Sequence, residues 1–394
     1  MTVPPALHQR VRLAHERRTY GLRSWPRRSR SRLPWPASGR VVLAISFSLV
    51  AFSTAGAEAL LGCRRVCQPA IRRCVEQTGM RRRECRRSLV PQCRSMGRAA
   101  CDKAYPAPPV APPCAGRSGP VVNLTGTYAR GYRAASLAPH TIVDAQSATF
   151  VSRPGVTPLY LAGGTGLCIG GGTVRGTYPR DASWTYMHGD CCNTAGLEVK
   201  APRPTVEDVR IDNVEDGIRV RSPADGFVVR SVHLSHIFDD AIDDHECLGG
   251  AVDDVLSDGS YVGISSRPNA GQDGRGKVLS IRNSLFRLET TQHPYPRETP
   301  PAHGALFKWS NQSVQLALHD NVFVVVRSRS TLGIPSSAHI VSCANNRLVW
   351  LGDGPFPGDL GRDPTTGKPC LSVTTDRKVW DDAVAAWQAR HPGL

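Results

Sequence analysis

The chain has 394 residues, with 49 Lys+Arg against 33 Asp+Glu, 13 Cys, 37 Gly, 31 Pro and 6% aromatic residues. Gly and Pro at this frequency exclude one long helical bundle, and a single short apolar run, residues 41–52, excludes a polytopic membrane protein. The net charge of +16 is concentrated at one end: residues 1–62 carry +8, residues 63–101 carry +9, and the rest carry −1. A near-neutral main body argues against a nucleic-acid partner, despite the high pI.

The first forty residues are Arg-rich and lead into VVLAISFSLVAF and then STAGAEA. A basic stretch, a short apolar core and a small-x-small site together predict a secretory signal over 1–57, cleaved after Ala57. An uncleaved anchor is the alternative. A lipobox reading of Leu60-Leu61-Gly62-Cys63 is weakened by Glu58, which interrupts the apolar core. Export places the protein outside the cytoplasm, whether secreted, periplasmic or on the cell surface. It leaves no integral membrane span after signal removal, and it permits disulfides.

Residues 58–104 form a Cys/Arg-rich module. Cys63, Cys67 and Cys74 share one helical face, Cys85, Cys93 and Cys101 another, and Thr78-Gly79-Met80 reads as the turn between them. An antiparallel hairpin would pair Cys74 with Cys85, Cys67 with Cys93 and Cys63 with Cys101, one of fifteen pairings that six cysteines allow. Zinc is disfavoured, because no Cys-x-x-Cys pair and no His occur here. The arginines suit either a solvated face or an anionic cell-surface polymer. A Pro-rich linker follows over 105–120.

From 121 to 374 the pattern is short β-type runs punctuated by Gly and Asx. VRIDNVEDGIRVR, VHLSHIFDDAIDDH and VLSDGSYVGISSR align so that Ile218, Ile242 and Ile264 share a column. Asn213, His236, Asp258, Asn283, Asp320 and Asn345 make a polar column, and QHPYPRETPPAHG interrupts the period as an inserted loop. Strands repeating every 22–25 residues without intervening helices predict a solenoid. An antiparallel sandwich would show hairpin turns every 8–12 residues instead. Residues 375–394 predict a helix with Val379, Trp380, Val384 and Trp387 on one stripe, placed to cap the open end.

Residues 141–352 resemble the right-handed parallel β-helix proteins of the pectin-lyase-like superfamily. That resemblance implies an all-β, single-stranded right-handed parallel β-helix with the polar column as an internal ladder. Asp239-Asp240 resembles the Asp-Asp of polygalacturonases, whose other three motifs do not follow in order. Clustered acids beside an Arg on a neighbouring coil, as Arg267 would be, resemble pectate lyases without their surrounding motif. The resemblance therefore speaks for architecture rather than for one activity.

The densest chemistry is FDDAIDDHE, residues 238–246. With Ile242 inward, alternation turns Asp239, Asp243 and His245 outward and Asp240 and Asp244 inward, with a turn nearby. Coil alignment then sets Glu215 beside Asp239 and Tyr261, Arg219 beside Asp243, and Arg221 beside His245 and Arg267. Gly217, Ala241 and Gly263 would floor a shallow groove between them. Asp239, Asp243, His245, Arg267 and Glu215 are the candidate catalytic groups. Arg219, Arg221, Tyr261, Lys308 and Trp309 are candidates for holding a polysaccharide, and His303 is placed to close over the same face. Asp239, Asp240, Asp243 and Asp244 are candidate Ca2+ ligands. A hydrolase would use two carboxyls, a lyase His245 with an arginine. A non-catalytic adhesion or scaffold rod is the competing reading. Adjacent Cys191 and Cys192 are each expected to bond elsewhere, and the seven cysteines after residue 101 leave at least one unpaired.

Overall fold

The computed structural model describes residues 114–291, 301–328 and 332–394. Residues 1–57, expected to be a signal segment, and the six cysteines of the expected hairpin lie outside the described residues. Residues 121–374 wind into a parallel β-helix of about 10 turns. Successive coils pair in parallel, which removes the antiparallel sandwich.

Three strand faces enclose the core. On one, Val143, Ile169, Val206, Val229, Val252, Ile281, Leu318 and Cys343 stack in register, none more than 8% exposed. A second stacks Phe150, Val174, Ile211, Leu234, Ser257, Phe286, Phe323 and Leu348. The third contains the expected Ile218, Ile242 and Ile264 and continues through Leu159, Leu197 and Phe307. Each such side chain withdrawn from water stabilises the fold by about 1.5–3 kcal/mol. No coil completes that burial without its neighbours.

The polar column divides between two corners. Asn213 and His236 take positive φ (62° and 50°) at one corner, where Gly259 (103°) follows Asp258. Asn283, Asp320 and Asn345 (50°, 57° and 56°) belong to the other corner, with Asp208, Ser231 and Asp254. Asn, Asp and His tolerate this left-handed backbone better than branched residues, so the column records corner geometry. Most of its members face outward; the internal ladder lies one residue later, at Ser284, Asn321 and Asn346, all buried. Asn321 Oδ1 accepts from Ser284 N at 3.0 Å, and its Nδ2 donates to Ile281 O at 2.9 Å and Asn346 Oδ1 at 2.8 Å. Asn346 Nδ2 donates onward to Leu318 O and Cys370 O.

Cys114–Cys168 ties the chain entering the helix to its third coil, and Cys343–Cys370 joins the last coils. Cys247 is buried and unbonded. The C-terminal helix, Lys378–Arg390, buries Trp380 and Trp387. They pack on Leu256, Leu285, Val324 and Val349, and Trp387 Nε1 donates to Asp254 O at 3.0 Å. The helix thus runs along a flank over several coils rather than across the open end, because those outward residues supply the apolar strip it needs. Among the described residues, no helix is long and apolar enough to cross a membrane.

The ladder makes a specific expectation. Asn321→Ala should destabilise by about 2–4 kcal/mol, because it strands buried groups in adjacent coils. Asp320→Asn, exposed and compatible with the same corner, should stay within about 0.5 kcal/mol. Urea unfolding of both variants checks this.

Candidate functional site

The third face carries the acidic cluster on three successive strands, Asp216–Val220, His233–Asp244 and Leu256–Ser265. The expected register is present: Arg219 pairs with Asp243, Asp243 with Ser265, and Ser265 with Lys308 on the short strand Phe307–Lys308. Asp239 N donates to Glu215 O at 2.8 Å, which sets those two residues on adjacent coils.

Alternation fails at Asp240. Ala241 and Ile242 both pack in the apolar core, so strict alternation breaks there and Asp240 joins the cluster instead of entering that core. Lys308 Nζ lies 3.3 Å from Asp239 Oδ1 and 2.8 Å from Asp240 Oδ1. One ammonium therefore serves two neighbouring carboxyls. Burial, then the charge of Asp239, pushes Asp240 up to about 8. Burial alone would lower Lys308, but Asp240 and Asp239 outweigh it and hold the ammonium charged.

Asp216, a residue the alternation argument passed over, links the two halves of the cluster. Its Oδ1 accepts from Asp240 N at 3.1 Å, and its Oδ2 pairs with Arg219. Arg219 Nε also meets Asp243 Oδ2 at 3.1 Å. Burial raises Asp216 well above the usual carboxylate range.

A loop missed as a functional element closes over these groups. Its π-helical turn, Tyr186–Cys191, lies in an insertion between two strands of the coil. His188 Nδ1 is 3.1 Å from Glu215 Oε1 and 3.4 Å from Asp239 Oδ2. The hydrogen bond to Glu215 raises the imidazole pKa, helped by the charge of Asp239. Trp184 stacks on the His188 ring with centroids 4.6 Å apart, and Tyr261 lies 5.9 Å from Trp184. Met187 is buried with Tyr178 and Phe238 and anchors the turn. Cys191 and Cys192 are bonded to each other, contrary to expectation. The only sequence signal was the density of the run MHGDCC.

The remaining candidates are placed differently. Asp244 enters the apolar column under Val220 and caps a turn, accepting from Leu248 N, Gly249 N and Ser266 Oγ. Burial raises it to about 6. Asp239 and Asp240 share Lys308, Asp243 pairs with Arg219 and Asp244 caps a turn; Asp240 and Asp243 come within 4.8 Å of each other beside Asp216, so the four acids are not gathered as one Ca2+ cage. His245 sits half-exposed at the rim with Nδ1 on Asp243 Oδ2 at 3.1 Å. Arg221 pairs with Glu246 at 3.3 Å, and Arg267 is exposed beyond its strand. Trp309 belongs to the core, 8% exposed, its Nε1 donating to Val314 O; it does not line the face. The Gly217–Ala241–Gly263 strip is buried rather than a groove floor. A Cβ on Gly217 would come within 2.4 Å of Ala241 O, and one on Gly263 within 2.5 Å of Leu306 O.

No protein family, curated protein or solved structure gives a match to this chain. The chemistry must be read from the site alone.

His303 is a structural group and does not close over the cluster. It is fully buried, with Nδ1 2.7 Å from Gly304 O and Nε2 accepting from Val326 N at 3.0 Å. Burial lowers its pKa to about 4. The neutral ring's contribution is complete above about pH 6.5 and is lost as pH falls toward 4, on the order of 3 kcal/mol. Melting temperatures at pH 7 and 4.5 should show that loss, and His303→Gln should flatten it.

Proposed function

We propose that the protein is exported and hydrolyses a glycosidic bond of an extracellular polysaccharide at the Asp239–Asp240–Lys308 centre. The observation that supports this reading is the convergence of two neighbouring carboxyls on one ammonium at the outward face of a β-helix. Glycoside hydrolysis uses one carboxyl as acid and a second as base or nucleophile. Asp240, whose pKa burial and the charge of Asp239 push up, is assigned the acid role. Asp239, held by Lys308 and His188, is assigned the ionised one.

A lyase is less well supported. Its base and arginine, His245 and Arg267, do not share a point with Lys308. Among the described residues, Glu215, Asp216, Asp239, Asp240 and Asp243 meet Arg219, Lys308 and the His188 and His245 rings, so carboxyls outnumber the fixed cations and the site favours a neutral sugar over a polyuronate. This narrows the function relative to the pectin-lyase-like proteins that the repeat resembles. An adhesion or scaffold role has one observation in its favour. Arg219 sits between Asp216 and Asp243, as mutual neutralisation within a rod would require.

The purified protein should release reducing ends from a neutral polysaccharide in a mixed panel, without the ultraviolet absorbance of unsaturated products. Asp239→Asn and Asp240→Asn should each lower kcat by about 10²–10⁴-fold. Absorbance gain would replace the hydrolase with a lyase. Silence across the panel, or unchanged rates in both variants, would favour the scaffold.

A further inference from the structure

We propose that His188, Glu215 and Asp239 bind one divalent transition-metal ion of the Zn2+ or Mn2+ type. This goes beyond the glycan reading and does not depend on it. The donors are His188 Nδ1, a Glu215 oxygen and Asp239 Oδ2, and these atoms lie within 4.8 Å of one another. An ion bonding each at about 2.0–2.2 Å can span such a set.

An acidic cluster alone would not carry this assignment. The deciding observation is Glu215, whose side chain is 1% exposed. Its Oε1 faces His188, while its Oε2 is buried without a hydrogen-bond partner. A buried carboxylate oxygen left unpaired is costly. A cation between Glu215, Asp239 and the imidazole would remove that cost. The imidazole selects the class: Ca2+ and Mg2+ prefer all-oxygen shells, whereas Zn2+ and Mn2+ accept nitrogen with carboxylates. Lys308 opposes a second cation, but it contacts Asp239 through Oδ1 and leaves Oδ2 toward His188. The half-exposed side of His188 leaves room for water to complete the coordination. The ion would fasten the Tyr186–Cys191 turn to the sheet, joining the inserted loop to two successive coils.

The test uses the full chain, stripped with a chelator and titrated separately with ZnCl2, MnCl2 and CaCl2. Bound metal is counted by mass spectrometry after desalting, and melting temperature is followed in parallel. Expected is one equivalent of Zn2+ or Mn2+ with a rise of about 5 °C at saturation, and no comparable response to CaCl2. His188→Ala and Glu215→Gln should each abolish retention and shift. Were Glu215→Gln to misfold, His188→Ala on the half-exposed loop would still decide. No retained ion in the parent chain, or one equivalent kept in His188→Ala, overturns the assignment. Metal binding without any sugar cleavage would sink the hydrolase reading alone.

Discussion

Register between coils is the constraint on which the rest depends. Stacking Leu197, Ile218, Ile242, Ile264 and Phe307 in one internal column fixes the axial position of every residue beside them. Glu198, Arg219, Asp243, Ser265 and Lys308 then fall into a single outward column, although they span more than one hundred residues of sequence. A one-residue slip would exchange the two sets and place charges in the core. Apolar packing therefore does the positioning, and the charged groups are carried to their places by it.

Burying six carboxyls on so small an area opposes folding, since each loses its hydration. The structure answers this in three ways. Arg219 pairs with Asp216 and Asp243, Lys308 pairs with Asp239 and Asp240, and backbone amides cap Asp244, while burial pushes the Asp240 pKa up. The inserted loop reaches this set through His188, which meets Glu215 and Asp239 on adjacent coils, and that contact ties the polar residues to a local purpose rather than to the solenoid as a whole.

Much of this was legible in the sequence, for physical reasons. Periodic apolar residues report the coil period, and the period reports the register, so Ile218, Ile242 and Ile264 and the pairing of Arg219 with Asp243 could be aligned without coordinates. The polar column was legible as a column, but not as corners. A positive φ selects Asn, Asp and His just as a buried ladder does, so residue type could not separate the two. Asp240 was misassigned because Ala241 and Ile242 both enter the core, which strict alternation from Ile242 does not foresee. The Gly217 strip failed for a related reason: small residues leave room for a ligand or for a neighbouring coil, and the sequence does not say which. His188 was beyond reach, since a loop residue has no periodicity to place it.

The insertions show how such a fold acquires a site. The two longest steps of the first internal column, from Ile169 to Val206 and from Ile281 to Leu318, contain residues 177–194 and 289–306. Both insertions leave the chain just before a strand of the third face, the strand Ala195–Lys200 in one case and Phe307–Lys308 in the other. An insertion at a corner leaves the coil register intact, because the strands on either side still pair with their neighbours. The solenoid can therefore change what covers its outward column without disturbing the column itself. His188 from the first insertion and Lys308 directly after the second meet on Asp239. The single carboxylate that both insertions address is the point at which the chemistry of this face is concentrated.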